Sequence, residues 1–375
     1  MDFNLTEDQE MIKRSCKRFL KDIFTSKLVR ELEDDPIGFR AEIWKQIADL
    51  GWMGLLIPEE YGGAGGGVLD LTVLLQEMGS GLFEGPFLHT VIGADMILEG
   101  GNELLKQQLL RQVSMGQLQL ALALTEPTAD YGIADISTIA TLEGDVFVVD
   151  GVKIMVPYAH IANYLICVAR TKSFKLKGSE GITLFLVDTA TSGINFIPLH
   201  TSIKDKQFEV TFSNVCVPVN HVIGLVDQGW KILETALAKA TVGECAQMVG
   251  AAQKVMEMTV QYAKDRVQFS RPIGSFQAVQ HHCANMLILM QSAELITRKA
   301  AWTLDQGLPC AKIVSEAKAW VNEACAKVAA LGHQIHGGIG FAMEHDLHLY
   351  TRRIRGRQYA FGDTDWHYEK VSESL

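Results

Sequence analysis

Apolar positions along this 375-residue chain change their period twice. Up to about residue 120 they recur at helical spacing: Met11, Cys16, Phe19 and Leu20, then Ile43, Trp44, Ile47 and Leu50, then Leu71, Val73, Leu74, Leu75 and Met78. Residues three and four apart share one face of a helix, so helices are predicted here. The run 58–63 and the glycines through Gly67 read as loops between them, because glycine reaches backbone angles closed to other residues. From about 120 to 225 the period becomes two. Short β-branched and aromatic runs at 146–149, 164–169 and 183–187, bounded by Gly, Asp or Ser, predict strands. Glu143-Gly144-Asp145 and Asp150-Gly151 carry hairpin chemistry, with positive φ expected at the glycines. Helical spacing then returns over 230–263, 278–306 and 310–331, the last predicted to stop at Gly332. The pattern predicts an α+β chain: a helical domain over 1–120, a β domain over 121–228 and a four-helix-like domain over 229–375.

Composition narrows what such a chain does. With 48% hydrophobic residues it can bury a large core, and it exceeds the roughly 250–300 residues at which one core stops growing. A formal net charge of −10 leaves no electrostatic footprint for nucleic acid. No apolar run approaches the roughly 18–20 residues that a membrane helix needs, and residues 1–10 carry acids where a leader carries Arg or Lys. A cytoplasmic protein is expected. Seven scattered cysteines with no CxxC pair argue for a reducing compartment and against a zinc site.

Four segments carry chemistry. The first is Ala123-Leu124-Thr125-Glu126-Pro127. The second runs from Tyr262 through Arg266, Phe269, Ser270, Arg271, Pro272 and Gly274 to Gln277 and His281. The third is Gly332-His333-Gln334-Ile335-His336-Gly337-Gly338-Ile339-Gly340-Phe341, and the fourth runs from Phe208 to Pro218 and on to Gly229-Trp230. In this order and spacing they resemble the acyl-CoA dehydrogenases, FAD-dependent enzymes with an N-terminal helical domain, a β-barrel-like middle domain and a C-terminal four-helix bundle. The resemblance implies that Leu124 and Thr125 meet the flavin ring. It implies that Arg266, Phe269 and Gln277 hold the FAD diphosphate and adenine side of a neighbouring subunit, and that Gln334, Gly337 and Gly338 approach the diphosphate. A guanidinium suits a diphosphate because its fixed fork makes two charge-assisted bonds. Thr364 matches an FAD-contacting threonine. The resemblance further implies an acyl-CoA substrate, an electron-transferring flavoprotein as acceptor, and a homo- or hetero-tetramer.

The departures from the family pattern are specific. Where common members read Tyr-Glu-Gly-Thr, with the glutamate removing the substrate α-proton, this chain reads Phe361-Gly362-Asp363-Thr364. Members that move the glutamate to the first long C-terminal helix keep it at the position of Ala240, which is also empty. Two acids remain as candidates for the proton acceptor. Glu244 lies one turn beyond Ala240, about 6 Å along the helix, where the family lines its acyl pocket. It reads either as a base or as an ion-paired helix residue. Asp363 reads as a base or as a helix cap, since Asp363 and Asp365 flank a helix start. Ala240, Phe361 and Gly362, with Glu84 and His89, are expected to line the substrate. Lys153-Ile154-Met155-Val156-Pro157-Tyr158 replaces the family's Trp-x-Thr pair beside the flavin. Three functions remain open: a dehydrogenase with a relocated base, a catalytically silent subunit completing the site of a paired homologue, and a flavin-free acyl-CoA-binding scaffold.

Overall fold

The computed structural model describes residues 3–128, 131–132, 136–171 and 179–374. Its helices are α1 (Glu7–Ile23), α2 (Ser26–Asp34), α3 (Ala41–Asp49), α4 (Val68–Ser80), α5 (Phe87–Gly100), the short α6 (Glu103–Leu105) and α7 (Arg111–Ser114), then α8 (Trp230–Asp265), α9 (Gln277–Asp305), α10 (Ala311–His336), α11 (Leu347–Arg357) and α12 (Thr364–Glu373). The strands are β1 (Leu120–Ala123), β2 (Ile139–Glu143), β3 (Val146–Pro157), β4 (Tyr164–Arg170), β5 (Ile182–Asp188), β6 (Ile194–Leu199), β7 (Gln207–Pro218) and β8 (Val222–Ile223), with β9 (Val267–Gln268) and β10 (Arg271–Pro272) as a separate hairpin. The α+β class and the order helices, strands, helices follow the periodicity. Contacts divide the chain into two compact units, neither a single stretch of sequence. The first comprises Met1–Glu31, Val68–Phe83 and Thr241–Leu375, and the second Leu32–Gly67 and Glu84–Ala240.

The second unit is built on one sheet with the order β6-β7-β3-β2-β4-β5-β8, and β1 pairs in parallel with β4. Phe147 on β3 and Phe185 on β5 stand three strands apart, about 14 Å in a flat sheet. Their ring centroids are 5.0 Å apart, so the sheet curls around a common core that also holds Val210, Phe212 and Val215. This is the barrel-like form. Glu143 pairs with Val146 across a two-residue turn, with Gly144 at φ +62°. Asp150-Gly151 forms no turn: β3 runs through it, the register against β7 shifts there, and the Asp150 carboxylate accepts the N–H of Asn214 at 2.8 Å. A bulge, which re-aims a strand without ending it, uses the same Asp-Gly chemistry.

In the first unit, α1 begins at a capping box in which Thr6 and Gln9 satisfy each other's backbone N–H groups at 3.2 and 3.1 Å. α4 begins on the Asp305 carboxylate, which accepts from the N–H groups of Val68 and Leu69. Where α4 crosses α8, a Cβ added at Gly79 would lie 2.1 Å from the carbonyl oxygen of Gln247, and one added at Gly250 would lie 1.8 Å from that of Gln76. The two backbones touch through reciprocal glycines. Gly332 does not stop α10, contrary to the sequence reading. It lies inside the helix because a side chain there would strike Val255 Cγ1 on α8 at 2.7 Å, and the helix ends at Gly337, whose φ is +64°.

Among the described residues no helix is long and apolar enough to cross a membrane. In an exposed helix Gly→Ala adds roughly 1 kcal/mol of stability. At Gly250 we expect the opposite sign, a loss of about 3 kcal/mol from forced backbone separation, read by urea unfolding.

Candidate active site

Glu244 is buried on α8 at 4% exposure, and Arg357, the last residue of α11, donates from Nη1 to its Oε2 at 2.6 Å. A charge-assisted bond of this length offsets much of what burying either ion costs. Lys318 on α10 is fully buried and donates from Nζ to the carbonyl of Arg357 at 2.6 Å. Burial pushes the Lys318 ammonium down, against the opposing pull of Cys245 and Glu244. Asn322 on α10 donates to the carbonyl of Gln358 at 3.1 Å, and Gln358 returns a bond to the carbonyl of Asn322 at 2.8 Å. The last carbonyls of a helix need partners outside it. Here α10 supplies them and so fixes where the chain turns after α11. Burial raises the Cys245 thiol to about 12, which keeps it inert.

That turn carries Phe361 at φ +57° and Gly362 at φ +113°. A Cβ on Gly362 would stand 2.6 Å from both His367 Nε2 and Trp366 Cε3. A side chain at this position would be strained by its backbone and would have to displace His367 and Trp366. His367, 2% exposed, donates from Nε2 to the carbonyl of Phe361 at 3.1 Å, and among the described residues its buried Nδ1 has no hydrogen-bond partner. Asp363 accepts the N–H of Trp366 at 2.9 Å as the N-cap of α12, the capping alternative raised by its spacing. That bond commits the Asp363 side chain to the helix. Thr364 follows as the first residue of α12, half-buried.

Burial, then the Lys318 charge, push the His367 imidazole from 6.5 down to about 4. The folded chain therefore refuses a proton that the unfolded chain accepts below 6.5. Its contribution is whole above 6.5 and declines as pH falls from 6.5 toward 4, by up to about 3 kcal/mol. His367→Gln, which keeps a donor for Phe361, should flatten this acid limb when urea unfolding at pH 7 is compared with pH 4.5.

The sequence-predicted cofactor residues of the first unit fall in two exposed stretches. Arg266, Phe269 and Gln277 surround the β9–β10 hairpin, whose turn residues Phe269 and Ser270 hold φ of +51° and +66°. Such a turn usually takes Asn and Gly, and keeping Phe there costs of order 1–3 kcal/mol. Phe269 is 88% exposed, with Phe276 edge-on to it at 6.1 Å and Arg271 stacked 4.1 Å above Phe276. Gln334, Gly337 and Gly338 lie exposed at the end of α10, and among the described residues nothing beyond the chain neighbours approaches within 4 Å of a Cβ added at either glycine. Side-chain-free backbone at the two glycines lets a ligand approach closely, and the hairpin adds guanidinium groups and an aromatic face.

In the second unit, Leu124 and Thr125 follow β1 half-buried, and the N–H of Ile154 meets the carbonyl of Thr125 at 2.8 Å. Glu84 and His89 are half-buried, and Ala240 is buried. Thr90 ties α5 to β1 by bonding the carbonyl and N–H of Leu120. Lys239 and Asp95 form a further pair at 2.7 Å. Lys153 is fully buried and bonded to Glu126 at 2.7 Å. The sequence reading took Lys153 only as part of the stretch that replaces the family's Trp-x-Thr pair and did not single out Arg357. An acid in Thr-Glu-Pro with a lone lysine in a buried strand was the available signal for the first; nothing local marks the second. Among the described residues no cluster of His, Cys, Asp or Glu could hold a metal ion.

Comparison with known proteins accounts for most of the chain. Three family descriptions match: "Acyl-CoA dehydrogenase, N-terminal domain" over residues 6–117, the "middle domain" over 121–215 and the "C-terminal domain" over 227–375. A 3-(aryl)acrylate reductase of Clostridium sporogenes is 31% identical over 362 residues, covering 93% of each chain. A cyclohex-1-ene-1-carbonyl-CoA dehydrogenase of Geobacter metallireducens is 31% identical over 371 residues, covering 96% of this chain and 95% of its own. The butyryl-CoA dehydrogenase structure from Megasphaera elsdenii superposes with a TM-score of 0.91 at 28% identity and covers 100% of both chains.

Proposed function

The chain belongs to the acyl-CoA dehydrogenase family, and we propose that it is an FAD-dependent oxidoreductase acting on a CH–CH bond of an acyl-CoA thioester. Bound FAD supplies the acceptor for the hydride that leaves the substrate. Of the two C–H bonds broken, one gives up its proton to the protein and the other its hydrogen with the electron pair, and a C=C bond forms. The proton acceptor we assign is Glu244. What supports it is a buried carboxylate on α8 one turn from Ala240, in a chain whose Gly362 carries no acid. Arg357, which donates to that carboxylate at 2.6 Å, holds it in one orientation. A base one turn along α8 also fits a proton further along a cyclic or unsaturated acyl group.

The remaining assignments rest on the same family reading. Leu124, Thr125 and Thr364 meet the flavin. Arg266, Phe269, Gln277, Gln334, Gly337 and Gly338 hold its diphosphate and adenine side. Ala240, Phe361, Gly362, Glu84 and His89 line the acyl site. The acceptor of the electrons is an electron-transferring flavoprotein, the assembly is a homo- or hetero-tetramer in the cytoplasm, and the domains divide near 120 and 228. One observation favours a second reading, a catalytically silent subunit of a paired homologue: Gly362 stands where the usual glutamate would, and a side chain there would have to displace His367 and Trp366.

An anaerobic panel of acyl-CoA thioesters, scored by bleaching of bound flavin, separates these. The purified chain should bleach with at least one thioester, and Glu244→Gln should slow that step by 10²-fold or more while retaining FAD. Activity within a few-fold of wild type in Glu244→Gln would remove Glu244 from the role. A yellow wild-type chain that no thioester bleaches supports the silent-subunit reading. A chain colourless even after added FAD leaves only an acyl-CoA-binding scaffold.

A further inference from the structure

A lysine ammonium with no solvent exposure is costly to bury, and the reaction gives Lys153 no task. Its Nζ lies 2.7 Å from Glu126 Oε1 and 3.0 Å from the carbonyl oxygen of Leu124. The Glu126 carboxylate also accepts the N–H groups of Ser137 and Thr138, at 2.7 and 3.0 Å, and both of their hydroxyls. Burial pushes the Glu126 carboxyl up, but Lys153 and these donors outweigh it and bring it down to about 2. One residue along β3, the N–H of Ile154 takes the carbonyl of Thr125 at 2.8 Å.

Lys153 and Ile154 therefore hold the carbonyls of two consecutive peptides, Leu124–Thr125 and Thr125–Glu126. In a trans peptide the N–H points opposite to the carbonyl. With both carbonyls held by β3, the N–H groups of Thr125 and Glu126 face away from it, and among the described residues neither has an acceptor. We propose that Lys153, locked by Glu126, is the positioning residue for the flavin-facing segment: the clamp presents the N–H groups of Thr125 and Glu126 as preformed donors to the flavin edge that gains electron density on reduction. Preformed donors cost nothing to reorganise when charge arrives. The lysine and the glutamate cancel in charge, so the clamp acts by geometry. It does so where the family's Trp-x-Thr donor is missing, and it rests on the reading that this chain binds FAD.

The test is titration of FAD into the apo-chain and measurement of the two-electron midpoint potential of the loaded chain. Glu126→Gln/Lys153→Met removes both charges together and leaves neither ion buried alone. We expect FAD to bind at least tenfold more weakly, and a tenfold loss of preference for reduced over oxidised flavin to lower the potential by about 30 mV. Thr138→Val, which deletes one hydroxyl donor to Glu126 without touching charge, should shift both in the same direction by a smaller factor, and it decides the matter if the double variant folds poorly. A folded variant with FAD affinity within twofold of wild type and an unchanged potential overturns the clamp. A wild-type chain that binds no FAD overturns the flavin reading itself and the clamp with it.

Discussion

Between α4 and α8 there is no room for a single methyl group. Gly79 meets the backbone of Gln247 and Gly250 meets that of Gln76, so the two helices cross at backbone contact. Their relative position is set by carbonyl oxygens, which do not repack as side chains do. Everything on the buried face of α8 within this unit inherits that placement, including Cys245, Val249 and Ala252, which are buried within two turns of the crossing. Glu244, a turn and a half before Gly250, is held in depth and rotation by the same contact. The crossing explains how a polar residue can be kept so deep: the helix cannot rotate to release it.

Depth makes charge the next problem, and it is answered by pairing. Glu126 with Lys153, Asp95 with Lys239 and Glu244 with Arg357 are each joined at 2.6–2.7 Å with little exposure. Such pairs add little net stability, because desolvation consumes most of the attraction, while losing one partner is expensive. Their effect is to permit one arrangement and penalise others. Each ties together elements distant in sequence: a loop after β1 to β3, α5 to α8, and α8 to the end of α11. Lys318, which bonds the Arg357 carbonyl, carries the third tie onward to α10.

The turn at 359–363 shows the same economy. Its two left-handed residues, Phe361 and Gly362, are closed by His367 reaching back to the Phe361 carbonyl and by Asp363 capping α12. A side chain at 362 would displace an imidazole and an indole at once. The missing carboxylate accords with the turn as built, with the aromatic residues one helical turn later filling the space. Chemistry that the family assigns to this position must come from elsewhere in the chain or from another chain.

The sequence by itself determined the order of elements, since hydrophobic period distinguishes helix from strand without reference to anything remote. Helices at 7–23 and 68–80, the long helices beyond 230 and the strands at 146–157, 164–170 and 182–188 were all legible that way. So were the glycine loop at 337 and the Asp363 cap, whose signals are local. Glycines with a remote cause were misread: Gly332 looked like a helix end and is an interior crossing, and Gly151 looked like a turn and is a bulge, because what each one faces lies on another element. The same holds for partners. That Arg357 meets Glu244, 113 residues away, and that Lys153 meets Glu126 across a loop, depends on which faces the fold brings together. Period and composition carry no information about that; only burial and packing decide it.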